Sequence, residues 1–203
     1  MDILNDREIP EDFKACIRFH GHLCPGIVYG YRVSREAIRV LGLKRADDEE
    51  IVSICENDSC AVDAFQVILG TTAGKGNLII CDYGKNAYTV ISRRREKAYR
   101  FSRKKEYVYQ GREKAEFAAA EQALTAGTAT RQQQRRQKLL KSLDLLARPF
   151  DDIFETRPTD LPMPEHAQTA PSRACAGCGE MTMATRMKQK NGKYYCVPCL
   201  NQT

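Results

Sequence analysis

Four cysteines near the C-terminus, Cys175, Cys178, Cys196 and Cys199, form two C-x2-C pairs separated by seventeen residues. Four soft thiolates from two short turns are what a tetrahedral Zn2+ ion takes, and the spacing falls inside the zinc window. Gly177 and Gly179 sit where a knuckle must turn both sulfurs of a pair toward one ion. Between the pairs, Met181, Met183, Thr185 and Met187 alternate with Thr182, Ala184, Arg186 and Lys188. Asn191-Gly192 is a two-residue turn signal, so the segment reads as a hairpin. Disulfides or buried free thiols are the competing readings. A piece of 29 residues buries too little surface to fold unaided, which favours a structural metal.

A second constellation lies near the N-terminus. His20, His22 and Cys24 occupy alternate positions in FHGHLCPG, and two of the chain's three histidines are here. In extended backbone such residues share a face, and imidazole with thiolate suits zinc, nickel or iron. Cys24 precedes a Pro25-Gly26 helix start, and Cys60 opens a second helix with Asp63 three residues on. Helix N-termini favour thiolate, for metal binding or nucleophilic work. A shared site of His22, Cys24 and Cys60, with His20 or Asp63 near, follows as an expectation. The alternative is that these side chains are simply packed or hydrogen-bonded.

The elements that must position these groups can be read coarsely. Helices are expected over 11–19, 26–41 and 60–69, the last capped by Asp58 or Ser59. Strands are expected over 50–55 and 77–82, and a hairpin over 87–93 and 97–103. Alanine-rich and leucine-bearing helices follow over 112–126 and 131–147. The stripe Leu139, Leu140, Leu143 and Leu146 belongs either to the core or to a dimer seam. Helices and strands do not alternate strictly, which makes the chain α+β. Pro158, Pro162, Pro164 and Pro171 mark 153–174 as an extended connector. The domains are therefore 1–152, with a helical insert near 104–147, then the 153–174 linker, then a finger over 175–203. The glycines of GTTAGKGN resemble a phosphate loop only superficially. Three residues rather than four separate Gly70 from Gly74, Gly76 follows Lys75, and a strand comes next.

Nine cysteines, an acidic opening without an apolar core, and no apolar run long enough to span a bilayer point to a reduced, cytoplasmic protein. The formal net charge of +6 is uneven: −4 over 1–92, +10 over 93–148, −3 over 149–174 and +3 over 175–203. The basic block from Arg93 to Arg148 could track phosphates. It is diluted by Glu96, Glu106, Glu113, Glu116 and Glu121 and carries no base-stacking aromatic pattern, so nucleic-acid binding is expected to be weak or absent.

The stretches FHGHLCPGIVYGYR, NDSCAVDAFQVILGTTAGKGNL and DYGKNAYTV, in that order, resemble the FmdE family of formylmethanofuran dehydrogenase proteins. The tail FETRPTDLPMP, CAGCG and ATRMKQKNGKYYCVPC is similar to the form of that family with a cysteine-rich finger. The resemblance implies an FmdE-like α+β core with an antiparallel sheet, a treble-clef zinc finger and an intertwined homodimer. It carries His20, His22, Cys24, Cys60 and Asp63 over as a core site for a second divalent metal. The family often has cysteine where this chain has Thr71, so a weakened core site is expected. Three functions compete. One is a metal-binding accessory protein serving a molybdenum or tungsten redox enzyme, or metal handling for it. Another is a regulator or adaptor using the finger and the basic block. The last is an independent enzyme working through Cys24 or Cys60, ranked lowest because no catalytic set with an oriented base is readable.

Overall fold

A computed structural model describes residues 9–201. The first eight residues, to which the expectation of no apolar leader applies, lie outside the described residues, as do the last two of the finger segment. The chain divides into two compact units, one ending at Glu165 and one beginning at His166.

The larger unit is built on a five-stranded sheet in the order β2-β1-β3-β4-β5. The strands are β1 (Ile51–Cys55), β2 (Leu78–Ile80), β3 (Ala87–Ser92), β4 (Lys97–Arg103) and β5 (Phe154–Thr159). Neighbours pair antiparallel except β1 and β2, which run parallel. The expected antiparallel sheet therefore carries one parallel pairing. Parallel neighbours need a crossover, and α3 (Ala61–Ile68) supplies it between β1 and β2. Residues 154–159, read from sequence as connector, are instead the edge strand β5. Pro158 pairs opposite Tyr99 there, and an edge position is where a strand tolerates proline.

Helices α1 (Glu11–His20) and α2 (Pro25–Leu41) join α3 over one face of the sheet, around a core that includes Phe13, Ile27, Phe65, Tyr88, Phe101 and Phe154. The insert forms α4 (Lys114–Thr125) and α5 (Arg131–Ala147). Thr130 and Gln133 make a reciprocal capping box at the start of α5. At its other end, Arg32 Nη1 donates to the carbonyls of Leu145 and Leu146 at 2.9 and 2.8 Å, a cation placed where the helix dipole is negative. Leu140 and Leu145 are buried, whereas Leu139, Leu143 and Leu146 are half-buried. The leucine stripe thus belongs to the core in part.

The smaller unit is a string of short elements. β6 (Ser172–Ala174) pairs with β7 (Met181–Met183) across the first C-x2-C knuckle. β8 (Lys188–Lys190) and β9 (Lys193–Tyr195) then form a hairpin, and α6 (Val197–Leu200) follows. Asn191 and Gly192, both at positive φ, make the turn expected between β8 and β9. Met181–Met183 belongs to the β6 pairing instead, so the hairpin is shorter than the residue alternation suggested.

Candidate metal centres

In the smaller unit the knuckle, hairpin and helix bring Cys175, Cys178, Cys196 and Cys199 together, with all four sulfurs within 4.8 Å of one another. A tetrahedron with Zn–S near 2.3 Å requires sulfurs about 3.8 Å apart; Cys178 Sγ and Cys196 Sγ are 3.9 Å apart. Gly179, at φ +77°, takes a left-handed turn, and a Cβ on Gly177 would press within 3.1 Å of Cys199 Sγ. Gly179 therefore makes the expected turn, whereas Gly177 is required by the close approach of Cys199. Backbone N–H groups of Cys178, Cys196 and Gly177 donate to Cys175 Sγ and pull its thiol down to about 6. The sulfurs of Cys196 and Cys178 push Cys199 up to about 12. Four such sulfurs cannot all ionise side by side without a cation, so the donor set fits zinc in chemistry and in spacing.

In the larger unit the structure gathers His20, Cys24 and Cys60, with ligand atoms again within 4.8 Å of one another. His20 Nε2 stands 3.6 Å from Cys24 Sγ. Two ligands of one tetrahedral zinc, at 2.0–2.1 Å for nitrogen and 2.3 Å for sulfur, would be separated by about 3.6 Å. His20 Nδ1 meets Asp63 Oδ2 at 2.7 Å. Asp63 is held in turn by Gln66 Nε2, which donates to its Oδ1 at 3.0 Å. A carboxylate behind the imidazole fixes the tautomer and leaves Nε2 free toward the sulfurs, the usual support of a metal-bound histidine.

The sequence pattern places His22 in this group, whereas the structure gathers His20 with the two thiols. His20 is the last residue of α1, not part of an extended run, and Gly21 at φ +90° closes the helix with its N–H on the Ile17 carbonyl. That turn leaves His22 exposed, its ring centroid 4.5 Å from that of His20 and the two planes tilted by 34°. Its neighbours' partial desolvation of the ring, then the charges of His20 and Lys138, lower its pKa even though the residue is exposed.

Both thiols occupy N-cap positions, Cys24 of α2 and Cys60 of α3. Cys60 itself, rather than Asp58 or Ser59, is the cap. Asn57 prepares the turn by accepting from Ser59 N and Oγ while donating to the Lys85 carbonyl and Tyr88 hydroxyl. Burial, then the adjacent Cys24 sulfur, raises the Cys60 thiol, the behaviour of two thiols crowded without a cation.

Two glycines that sequence reasoning missed make the meeting possible. A Cβ on Gly26 would lie 2.8 Å from Cys60 Cβ, and one on Gly30 would collide with the Ala61 backbone carbonyl. Spaced one helical turn apart on α2, they let its first turns lie directly against the start of α3. Their G-x-x-x-G spacing was the available signal. Thr71, by contrast, does not belong to the cluster. Fully buried, it donates to Ser53 Oγ at 3.0 Å and lies 3.5 Å from the Phe65 carbonyl, toward the C-terminal end of α3. Its side chain does not stand in for a ligand of the three-residue group.

Similarity to known proteins agrees with this architecture. The family model described as "FmdE, Molybdenum formylmethanofuran dehydrogenase operon" matches residues 19–155. The chain belongs to the FmdE family. That match contains His20, Cys24, Cys60 and Asp63. The chain is 30% identical over 195 residues to a probable S-adenosyl-L-methionine-binding protein of Archaeoglobus fulgidus, covering 88% of this chain and 52% of the relative. It thus spans about half the length of that protein. Its fold is similar to that of a tungsten formylmethanofuran dehydrogenase FmdE-like protein from Syntrophus aciditrophicus. The TM-score is 0.59 at 21% identity, over 95% of this chain and 92% of the other.

Part of the basic block is paired within the larger unit. Arg93 donates to the Glu49 and Pro164 carbonyls, Arg100 grips Glu56, Arg136 grips Glu116, and Arg148 contacts Asp144. Among the described residues no helix is long and apolar enough to cross a membrane.

Proposed function

We propose that this FmdE-family chain is a metal-binding accessory protein. Its finger holds one structural zinc on Cys175, Cys178, Cys196 and Cys199. Its core holds a second divalent metal on His20, Cys24 and Cys60, with Asp63 positioning His20. The observation that carries the reading is the nitrogen–sulfur separation of 3.6 Å within a cluster already backed by a carboxylate. Three protein ligands leave a tetrahedral ion one open position, where it could bind or exchange a small ligand. Service to a molybdenum or tungsten redox enzyme, or to its metal supply, is the role most consistent with the family's operon association. The protein acts in the reducing cytoplasm as a homodimer. Two thiol-bearing ligand sets make the reducing compartment the compatible one.

The adaptor reading draws less support, because Arg93, Arg95, Arg100, Arg136 and Arg148 of the block are committed to carboxylates and carbonyls within the core unit. Nucleic-acid binding is accordingly weak and lost as salt rises.

Co-purification decides the role. The tagged chain should retain a molybdenum- or tungsten-containing oxidoreductase from its native extract, and Cys60→Ala should release it or leave it under-metallated. An enzyme fully active and fully metallated in a strain lacking the chain would rule the accessory role out.

A further inference from the structure

A second site lies beside the core cluster and draws on the helical insert. A cavity of about 1160 Å³ is bounded by His22 and Leu23 on one side and by α4 and α5 on the other. Its volume is just above the usual range of small-molecule clefts, roughly 300–1,000 Å³. Leu23, Ala119, Ala120 and Leu139 give it an apolar floor. Its positive charge is confined to the α5 wall, where Arg131, Arg135, Arg136 and Lys138 face Glu116 of α4, the one acidic residue of the lining. Glu116 is already taken: Arg136 Nε and Nη2 each reach it at 2.9 Å. Arg131, Arg135 and Lys138 are therefore left without a carboxylate among the described residues.

We propose that this cavity binds a small amphipathic organic anion, a carboxylate or phosphate ester on an apolar body. The apolar floor removes the body from water, and guanidinium and ammonium groups pair with the anionic end. An acidic macromolecule fits less well, because the uncompensated charge is local to the first turns of one helix while the floor is apolar and concave. The site stands on the insert and on His22, and does not depend on a metal at His20, Cys24 and Cys60.

The test uses the full chain and the fluorescent anion 8-anilinonaphthalene-1-sulfonate, displaced by decanoate or decyl phosphate. The uncharged decanol and cationic decyltrimethylammonium serve as controls. Both anions should displace the dye, the controls should not, and the stronger of the two anions identifies the head group. Arg135→Gln combined with Lys138→Gln should weaken anion binding by at least ~10-fold, since charge-assisted contacts are the strong ones. Both residues are exposed, so the fold should persist, which a thermal melt checks. Equal displacement by decanol, or unchanged affinity in the folded double variant, would overturn the proposal. So would loss of dye binding only when His20 or Cys60 is replaced, which would place the ligand on the core cluster instead.

Discussion

Replacing Gly26 with alanine should loosen the core metal site more than it unfolds the protein. The added Cβ would sit 2.8 Å from Cys60 Cβ and 3.7 Å from its Cα. Carbon atoms rest about 3.5–4.0 Å apart, so the start of α3 must retreat by roughly 0.7–1.2 Å. The obstacle is the root of a side chain at a helix N-cap, which cannot rotate away. Overpacking of this kind costs about 1–3 kcal/mol. Alanine returns about 0.5–1 kcal/mol in a helix relative to glycine. The net loss in a urea titration should therefore be only about 0–2.5 kcal/mol. The metal is far less forgiving, because ligand distances must fall within about 0.2 Å of ideal. A displacement several times larger at Cys60 should lower core metal affinity by ~10-fold or more, by analogy with the loss of a supporting partner. Competition against a chromophoric chelator would read two binding phases, and only the core phase should move. If Gly26→Ala is stably folded and both phases are unchanged, α2 does not set the position of Cys60 and the geometric argument fails.

Other consequences can be checked singly. Cys178→Ser should cost one equivalent of zinc per chain and disorder the finger while the core's thermal transition persists; undiminished zinc would contradict the four-thiolate centre. Asp63→Ala should weaken the core metal by about 10–100-fold and leave the finger's metal in place; an unmoved core phase would mean that Asp63 does not support His20. Thr71→Val should strand the buried Ser53 hydroxyl at a cost of about 1–3 kcal/mol without altering metal content; loss of core metal would return Thr71 to the site. The Arg100 guanidinium beside Glu56 holds its carboxyl below the usual carboxylate range. That pairing stabilises the fold above the unfolded-state pKa of about 4.3, and the contribution fades as pH falls through the lower folded value. Glu56→Gln should flatten that part of an acid titration of stability, and an unchanged profile would show that the pair is not a source of acid sensitivity.

Much of the α+β plan was legible because its signals are local. The β3–β4 hairpin, the helix starts that place Cys24 and Cys60, and the Asn191-Gly192 turn all follow from short-range residue patterns. The edge strand β5 was hidden by Pro158, which reads as connector until the sheet edge that accommodates it is known. The exchange of His22 for His20 has a similar origin. Alternation in FHGHLC suggests one face, but Gly21 ends a helix there and redirects the chain between the two imidazoles. The close approach of α2 and α3 is a tertiary fact, and Gly26 and Gly30 only reveal it once the facing residues are known. Thr71 was weighed by analogy with a cysteine, whereas its place beside Ser53 removes it from the question.

The central claim is that the core centre is formed by His20, Cys24 and Cys60, and metal counting in single-histidine variants tests it most directly. Wild-type protein and His22→Ala, purified with zinc and dialysed against a weak chelator, should each retain two metal ions per chain. His20→Ala and Cys60→Ala should retain only the finger's one. One ion per chain throughout, or loss of the second ion in His22→Ala with retention in His20→Ala, would contradict the account.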